Sequence, residues 1–180
     1  MSIRAKEQPC LVVIGGLPGT GKTTIARQIV GQARATYLRI DTIEQTLRNA
    51  QVLADEVGAS GYEVAYALAR DNLNLGRTVI ADCVNPLAVS RDAWREVARA
   101  TSSALLDVEI ICSDTDEHRR RVGNRQSDIA ELALPSWAAV LAREYEPRSD
   151  ERLVIDTAIV SVDEAVMRIL AGMQRLGDTG

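Results

Sequence analysis

The sequence predicts an α/β protein: a parallel sheet with helices on both faces. Three observations point there. Strand-like and helix-like segments alternate along the 180 residues, the pattern of βαβ units. The first strand-like run, Cys10-Leu11-Val12-Val13-Ile14, is continuously apolar, as a strand buried on both faces must be. A glycine-rich turn then leads directly into a helix-like segment, the order a βα unit requires.

The later elements follow in turn. A helix is expected from Thr23 to Gln32, a second strand from Thr36 to Ile40 and a second helix from Thr42 to about Leu53. Gly58 to Gly61 is a break. Tyr62 to Leu75 has helical spacing, with Ala65, Leu68, Ala69 and Leu73 on one side. Thr78-Val79-Ile80-Ala81 reads as the third strand. Asn85-Pro86 reads as a helix start, with Asn as N-cap and Pro in the first turn. Leu105 to Cys112 is the fourth strand, and Ser113-Asp114-Thr115-Asp116 caps the helix after it. Pro135 opens a helix ending near Tyr145. Arg152 to Ile155 is the fifth strand, and Ser161-Val162-Asp163-Glu164 caps the last helix.

Length and composition fit one globular domain over residues 1–180, with no repeat or linker. Phe is absent and aromatic residues are 3% of the chain, so few rings are present to stack on bases. The net charge of −4 is also opposite to that of most nucleic-acid-binding proteins. Cys10, Cys83 and Cys112 lie in apolar runs without metal-ligand spacing, which fits buried reduced thiols. No leader-like segment precedes Cys10, and no apolar run approaches the roughly 20 residues that span a bilayer. A cytoplasmic protein without membrane contact is expected.

Gly16-Leu17-Pro18-Gly19-Thr20-Gly21-Lys22-Thr23 matches G-x-x-x-x-G-K-[ST], the P-loop signature, with a strand before it and a helix after it. Glycines let such a loop turn its N–H groups inward around phosphates, and the helix N-terminus adds partial positive charge. Lys22 is expected to reach the β- and γ-phosphates of ATP, and the Thr23 hydroxyl to bind Mg²⁺. Gly16, Pro18, Gly19, Thr20, Gly21, Lys22, Thr23 and Thr24 form the expected nucleotide-binding set.

Ligands of parallel sheets bind beyond the C-terminal strand ends, which singles out two carboxylates. Asp41 follows the second strand. It can take the proton of an attacking hydroxyl, or it can cap a helix in Asp41-Thr42-Ile43-Glu44; spacing leaves both open. Asp82 ends the third strand and is a candidate for holding Mg²⁺ or orienting an acceptor. Farther on, Arg121 and Arg125 are four apart on an expected helix and share a face. Two guanidiniums there suit a lid that neutralises charge on a moving phosphoryl group, although a solvated basic face paired with Asp114, Asp116 and Glu117 has the same pattern. His118, the single histidine, reads as a surface or lid residue.

The chain resembles small P-loop kinases of the polynucleotide-kinase, zeta-toxin and chloramphenicol-phosphotransferase type. The likeness rests on Gly16 to Thr24, on Asp41, and on Thr78-Val79-Ile80-Ala81-Asp82 followed by Asn85-Pro86 and Trp94. It extends to Arg121 and Arg125, to Leu134-Pro135 leading to Tyr145, and to Val154-Ile155-Asp156-Thr157-Ala158. It implies a three-layer P-loop NTPase fold with a five-stranded parallel sheet in the order 2-3-1-4-5 and a helical lid over about residues 114–134. It also implies ATP-dependent phosphorylation of a hydroxyl, with Asp41 as general base, Arg121 and Arg125 as lid arginines, and Thr157 near the adenine.

One departure bears on the acceptor. Polynucleotide kinases carry an arginine three positions after the base aspartate, where this chain has Glu44. A carboxylate there repels a nucleic-acid phosphate, and Arg48, one turn later, replaces that arginine only with a different reach. A small hydroxyl-bearing acceptor is therefore expected, in contact with Asp41, Asp82 and Arg48. A polynucleotide 5′-hydroxyl kinase, a toxin acting on a sugar nucleotide, and a switch ATPase without an acceptor are the competing expectations.

Overall fold

Five parallel strands form the centre of the molecule, in the order β2-β3-β1-β4-β5. The computed structural model describes residues 8–51 and 57–178. Along the chain the elements are β1 (Cys10–Gly15), α1 (Lys22–Ala33), β2 (Thr36–Arg39), α2 (Ile40–Asn49), α3 (Ser60–Asn74) and β3 (Val79–Asp82). They continue with α4 (Ala88–Ala100), β4 (Ala104–Ile111), α5 (Thr115–Asn124), α6 (Trp137–Leu141), β5 (Leu153–Asp156) and α7 (Val162–Asp178). This is the expected P-loop NTPase architecture with the kinase-like strand order.

The period-2 alternation of the strands divides the core into two layers. Leu11 and Val13 of β1 and Val79 and Ala81 of β3 pack with Ala65, Ala69, Trp94 and Val97 from α3 and α4. Cys10, Val12 and Ile14 point the other way, with Ile80, to meet Ile25 and Ile29 of α1 and Ile169 of α7. Such side chains contribute about 1.5–3 kcal/mol each when fully buried. Without Phe, the first layer is anchored by an aromatic group in which Tyr66 meets Trp94 edge-on at 4.6 Å and Tyr62 at 6.0 Å. Cys10, Cys83 and Cys112 are buried and unpaired, as their sequence context predicts.

Register places the site. Ile14, Asp82 and Arg39 stand level across β1, β3 and β2, so Arg39 and Asp82 both end their strands where the phosphate loop leaves β1. On the other side of β1, Glu109 and Asp107 of β4 fix the segment that returns from the site to β5. Tyr145 donates to Glu109 at 2.8 Å and Arg152 at 2.5 Å, while Arg148 donates to Asp107 at 2.6 Å. Burying these carboxylates is tolerable because each meets a cationic partner.

Several local expectations are corrected. The second helix starts at Ile40 and ends at Asn49; its expected end near Leu53 lies outside the described residues. Asn85 does not cap α4, whose N-cap is Leu87. Instead Asn85 is fully buried at φ +53°, a left-handed position that Asn tolerates better than most residues. The helix after Pro135 is a five-residue turn from Trp137 to Leu141, capped by Ser136, and does not reach Tyr145. Arg125 lies beyond α5 as its extended C-cap residue, so it does not share a helix face with Arg121. No helix of the described residues is long and apolar enough to cross a membrane.

Candidate functional site

The phosphate loop leaves β1 through backbone that only glycine fits. Gly16 has φ +135°, and a Cβ there would lie 2.1 Å from the Ile110 carbonyl oxygen. Gly16 N–H donates to the Val84 carbonyl at 3.0 Å, and the Thr20 hydroxyl donates to Leu17 O at 3.0 Å. Gly21, at φ +99°, is the N-cap of α1, so the helix N-terminus opens onto the loop. Lys22 is the first helical residue and donates to Leu17 O at 2.8 Å. Burial pushes its ammonium below the usual lysine range, against the opposing pull of Asp82 and Asp41.

The loop is braced from α5 by a residue that its sequence context misassigns. His118 is buried, not at the surface. Its Nε2 lies 2.8 Å from the Pro18 carbonyl, and a carbonyl can only accept, so the ring donates. Trp137 packs edge-on against the imidazole at 5.1 Å. Val122, one turn after His118, sits against Gly19, where a Cβ would come within 2.6 Å of its Cγ2. The signal lay in the i, i+4 pair His118/Val122, a narrow buried stripe inside a charged run.

Arg121 fastens the same helix to the turn that follows β5. It donates to the Thr157 hydroxyl at 2.8 Å and the Thr157 carbonyl at 3.1 Å, and to Glu117 at 2.8 Å. The Thr157 hydroxyl in turn lies 2.9 Å from Thr20 O. Thr157 therefore stands directly behind the phosphate loop. Of the expected lid, α5 is fixed to the loop, and the segment from Arg125 onward crosses the cleft.

At the strand ends, Asp82 gathers two hydroxyls on Oδ2: Thr23 at 2.7 Å and Tyr37 at 2.8 Å. Only 3% of Asp82 is exposed, so it acts on the cleft through Thr23. Thr23 and Asp82 supply adjacent hard oxygens of the kind Mg²⁺ takes, while no group of three or more His, Cys, Asp or Glu suited to a metal occurs among the described residues. A metal held here would thus depend on phosphate oxygens for the rest of its shell.

Asp41 lies in the first turn of α2, but it is not the cap. The N-cap is Arg39, whose side chain makes no capping bond. The Asp41 carboxylate instead faces Arg125 at 3.9 Å. Both line a cleft of about 990 Å³ that also holds Pro18, Gly19, Gly21, Lys22, Thr23 and Thr24. Beyond Asp41 the wall is formed by Glu44, Arg48, Tyr62, Pro86 and Arg143. Burial raises the Glu44 carboxyl above its usual range, with Arg48 opposing and Asp41 adding to the rise. Its partner Arg48 is 3.4 Å away.

The structure thus gathers Lys22, Thr23, Thr24, Asp41, Arg48, Arg121 and Arg125 around one cleft. Asp82, Thr20 and Thr157 stand behind its wall. Sequence reasoning missed Tyr37, which shares Asp82, and Arg27, Arg39 and Asp128, whose carboxylate accepts from both arginines. It also missed Tyr62, whose hydroxyl accepts from Asn85 N–H at 2.9 Å and holds the turn after β3. Arg91 pins the same turn from α4, donating to the Pro86 carbonyl at 2.8 Å.

Comparison with known proteins places the chain. The family described as AAA domain matches residues 11–147. An uncharacterized protein of Mycobacterium tuberculosis is 33% identical over an alignment 165 residues long that covers 82% of this chain and 32% of that protein. The chain therefore spans about a third of the length of that relative. A protein of Aeropyrum pernix described as a probable adenylyl-sulfate kinase is 24% identical over an alignment 170 residues long that covers 89% of this chain and 90% of that protein. Among solved structures, the APS kinase CysC of Mycobacterium tuberculosis in complex with AMPPNP and APS superposes with a TM-score of 0.65 at 20% identity, covering 93% of this chain and 98% of that one.

Proposed function

The chain belongs to the AAA domain family, and from that premise we propose that it is an ATP-dependent kinase of the small P-loop type, transferring the γ-phosphoryl group to a hydroxyl of a small molecule. One observation carries the reading. Asp41 has no capping task and lines the same cleft as Lys22 and Thr23, with Arg125 at 3.9 Å. A carboxylate on the acceptor side of the phosphate loop is the group a kinase needs to orient an attacking hydroxyl and take its proton.

In this reading Lys22 and the loop N–H groups hold the β- and γ-phosphates. Thr23, backed by Asp82, holds Mg²⁺, which neutralises charge on the phosphates when bound. Asp41 orients the acceptor hydroxyl and takes its proton. Arg125 offsets charge on the phosphoryl group as it moves. Arg121 and Thr157 fix the loop wall on the nucleotide side. Closing residues over the cleft excludes water, which would otherwise take the phosphoryl group.

The charges around the acceptor side support a small molecule over a polymer. On the wall beyond Asp41, Arg48 and Arg143 are offset by Asp41 and Glu44. Arg27 and Arg39 are taken up by Asp128, and the remaining cations of the cleft, Lys22, Arg120, Arg121 and Arg125, are assigned to the nucleotide side. A channel for a phosphate backbone is expected to carry a clear cationic excess. The likeness to a structure holding AMPPNP and APS fits an adenine nucleotide donor and a compact acceptor.

The test is phosphoryl transfer from γ-labelled ATP to a panel of sugars, sugar acids, nucleosides, aminoglycosides and 5′-hydroxyl oligonucleotides. Labelling of one small-molecule class supports the proposal. Preferential labelling of oligonucleotides replaces it with polynucleotide phosphorylation.

A further inference from the structure

Asp128 lies in the segment that leaves α5 and crosses the cleft, and two arginines grip it, the buried Arg39 and the exposed Arg27. Arg39, at the end of β2, donates from Nη1 to both carboxylate oxygens at 2.9 Å. Arg27, one turn beyond Thr23 on α1, donates to Oδ2. The Arg39 side chain is only 5% exposed, and its Nε has no partner among the described residues. A guanidinium buried this deeply needs an anion, and the one it has comes from 89 residues away in sequence. Three residues before Asp128, Arg125 reaches Asp41.

We propose that Asp128 is a latch: a positioning residue that ties the crossing segment to Arg27 and Arg39 and thereby holds Arg125 beside Asp41. The proposal rests on the kinase reading for its consequence, though not for its geometry. Burial alone would raise the Asp128 carboxyl, but the hydrogen bonds from Arg39 and Arg27 outweigh it and hold the group down to about 2. The latch is thus charged at every physiological pH. An alternative role for the arginine pair is an anion site for the acceptor, with Asp128 as its resident occupant; the experiment separates the two.

The experiment compares the full chain with Asp128→Asn, Asp128→Glu and Arg27→Gln, and with the Asp128→Asn/Arg27→Gln pair. Trypsin cleavage after Arg125 is followed by mass spectrometry in saturating Mg·ADP, a probe that needs no acceptor. Loss of a charge-assisted pair is expected to make Asp128→Asn cleave about tenfold faster. Asp128→Glu should restore much of the protection, and the double variant should be little worse than Asp128→Asn, since both remove one interaction. Mg·ADP affinity should stay close to that of the unaltered chain, whereas Asp128→Asn should lower the unfolding midpoint by leaving the buried Arg39 guanidinium without its anion. Cleavage after Arg125 is therefore read relative to cleavage after Arg99 in α4, well below both midpoints. With an acceptor in hand, Asp128→Asn should lower kcat while leaving the KM for ATP nearly unchanged. Unchanged cleavage in Asp128→Asn overturns the latch. Tighter binding of an anionic acceptor or of inorganic phosphate by Asp128→Asn overturns it in favour of the anion site. Failure to find any acceptor leaves the proteolysis result standing and counts against the kinase reading alone.

Discussion

His118 donates from Nε2 to the carbonyl of Pro18 at 2.8 Å, so the helix after β4 is fastened to the crown of the phosphate loop. The contact joins residues 100 positions apart. It makes the loop's shape depend on α5 as well as on its own glycines.

Removing that brace should weaken nucleotide binding. His118→Ala leaves a buried carbonyl without a donor and opens space beside Trp137. The unmade bond costs about 1–3 kcal/mol. Calorimetric titration should show Mg·ADP affinity falling about tenfold or more, with a lower unfolding midpoint. Unaltered affinity would mean that the loop holds its shape unaided.

The loop itself should tolerate little. At Gly16 a methyl group would sit 2.1 Å from the Ile110 oxygen on backbone at φ +135°. Gly16→Ala therefore combines a steric clash with a positive φ that side chains disfavour. A loss of several kcal/mol of stability and of nucleotide binding is expected, readable by thermal melting and ADP titration. Gly31, whose Cβ would meet nothing within 4 Å, is the control: Gly31→Ala should be neutral or slightly stabilising.

Asp82 should matter through the metal. It accepts from Thr23 and Tyr37 on one oxygen, so Asp82→Asn halves the acceptor capacity that orients the Thr23 hydroxyl. Affinity for ADP measured with Mg²⁺ should fall about tenfold, while affinity in EDTA changes little. An equal fall in both conditions would assign Asp82 to folding and not to metal support.

Glu44 offers a test by pH. Its carboxyl is raised by burial and by Asp41, so the charged form is less favourable in the folded chain than in the unfolded one. Charged Glu44 therefore costs stability at neutral pH, and that cost disappears as pH falls and the group protonates. Glu44→Gln should melt no lower than the unaltered chain at pH 7.5, and any advantage should shrink toward pH 4. A lower melting point for Glu44→Gln at pH 7.5 would show that the pair with Arg48 outweighs burial.

How much of this was legible from the sequence follows from how local each feature is. The phosphate loop is eight consecutive residues whose chemistry is complete in themselves, and the apolar strand before it fixes its place in the sheet. Asp41 and Asp82 were found because parallel sheets bind at their strand ends. His118 was misread because a charged run hides a two-residue buried stripe. Asn85 was misread because Asn-Pro suits a helix start as well as a left-handed turn, and Tyr62, which holds that turn, comes from α3, 23 residues away. The clasp of Arg27 and Arg39 on Asp128 spans 101 and 89 residues, and nothing in the local pattern of any of the three announces it. Packing, not periodicity, creates that contact.

The central claim concerns Asp41, and one comparison tests it most directly: single-turnover phosphoryl transfer from γ-labelled ATP to the acceptor found by screening, by the unaltered chain and by Asp41→Asn. A general base contributes about 10²–10⁴ in rate. The account predicts a loss of that order in Asp41→Asn with Mg·ADP affinity preserved. Equal transfer rates in the two proteins would contradict it.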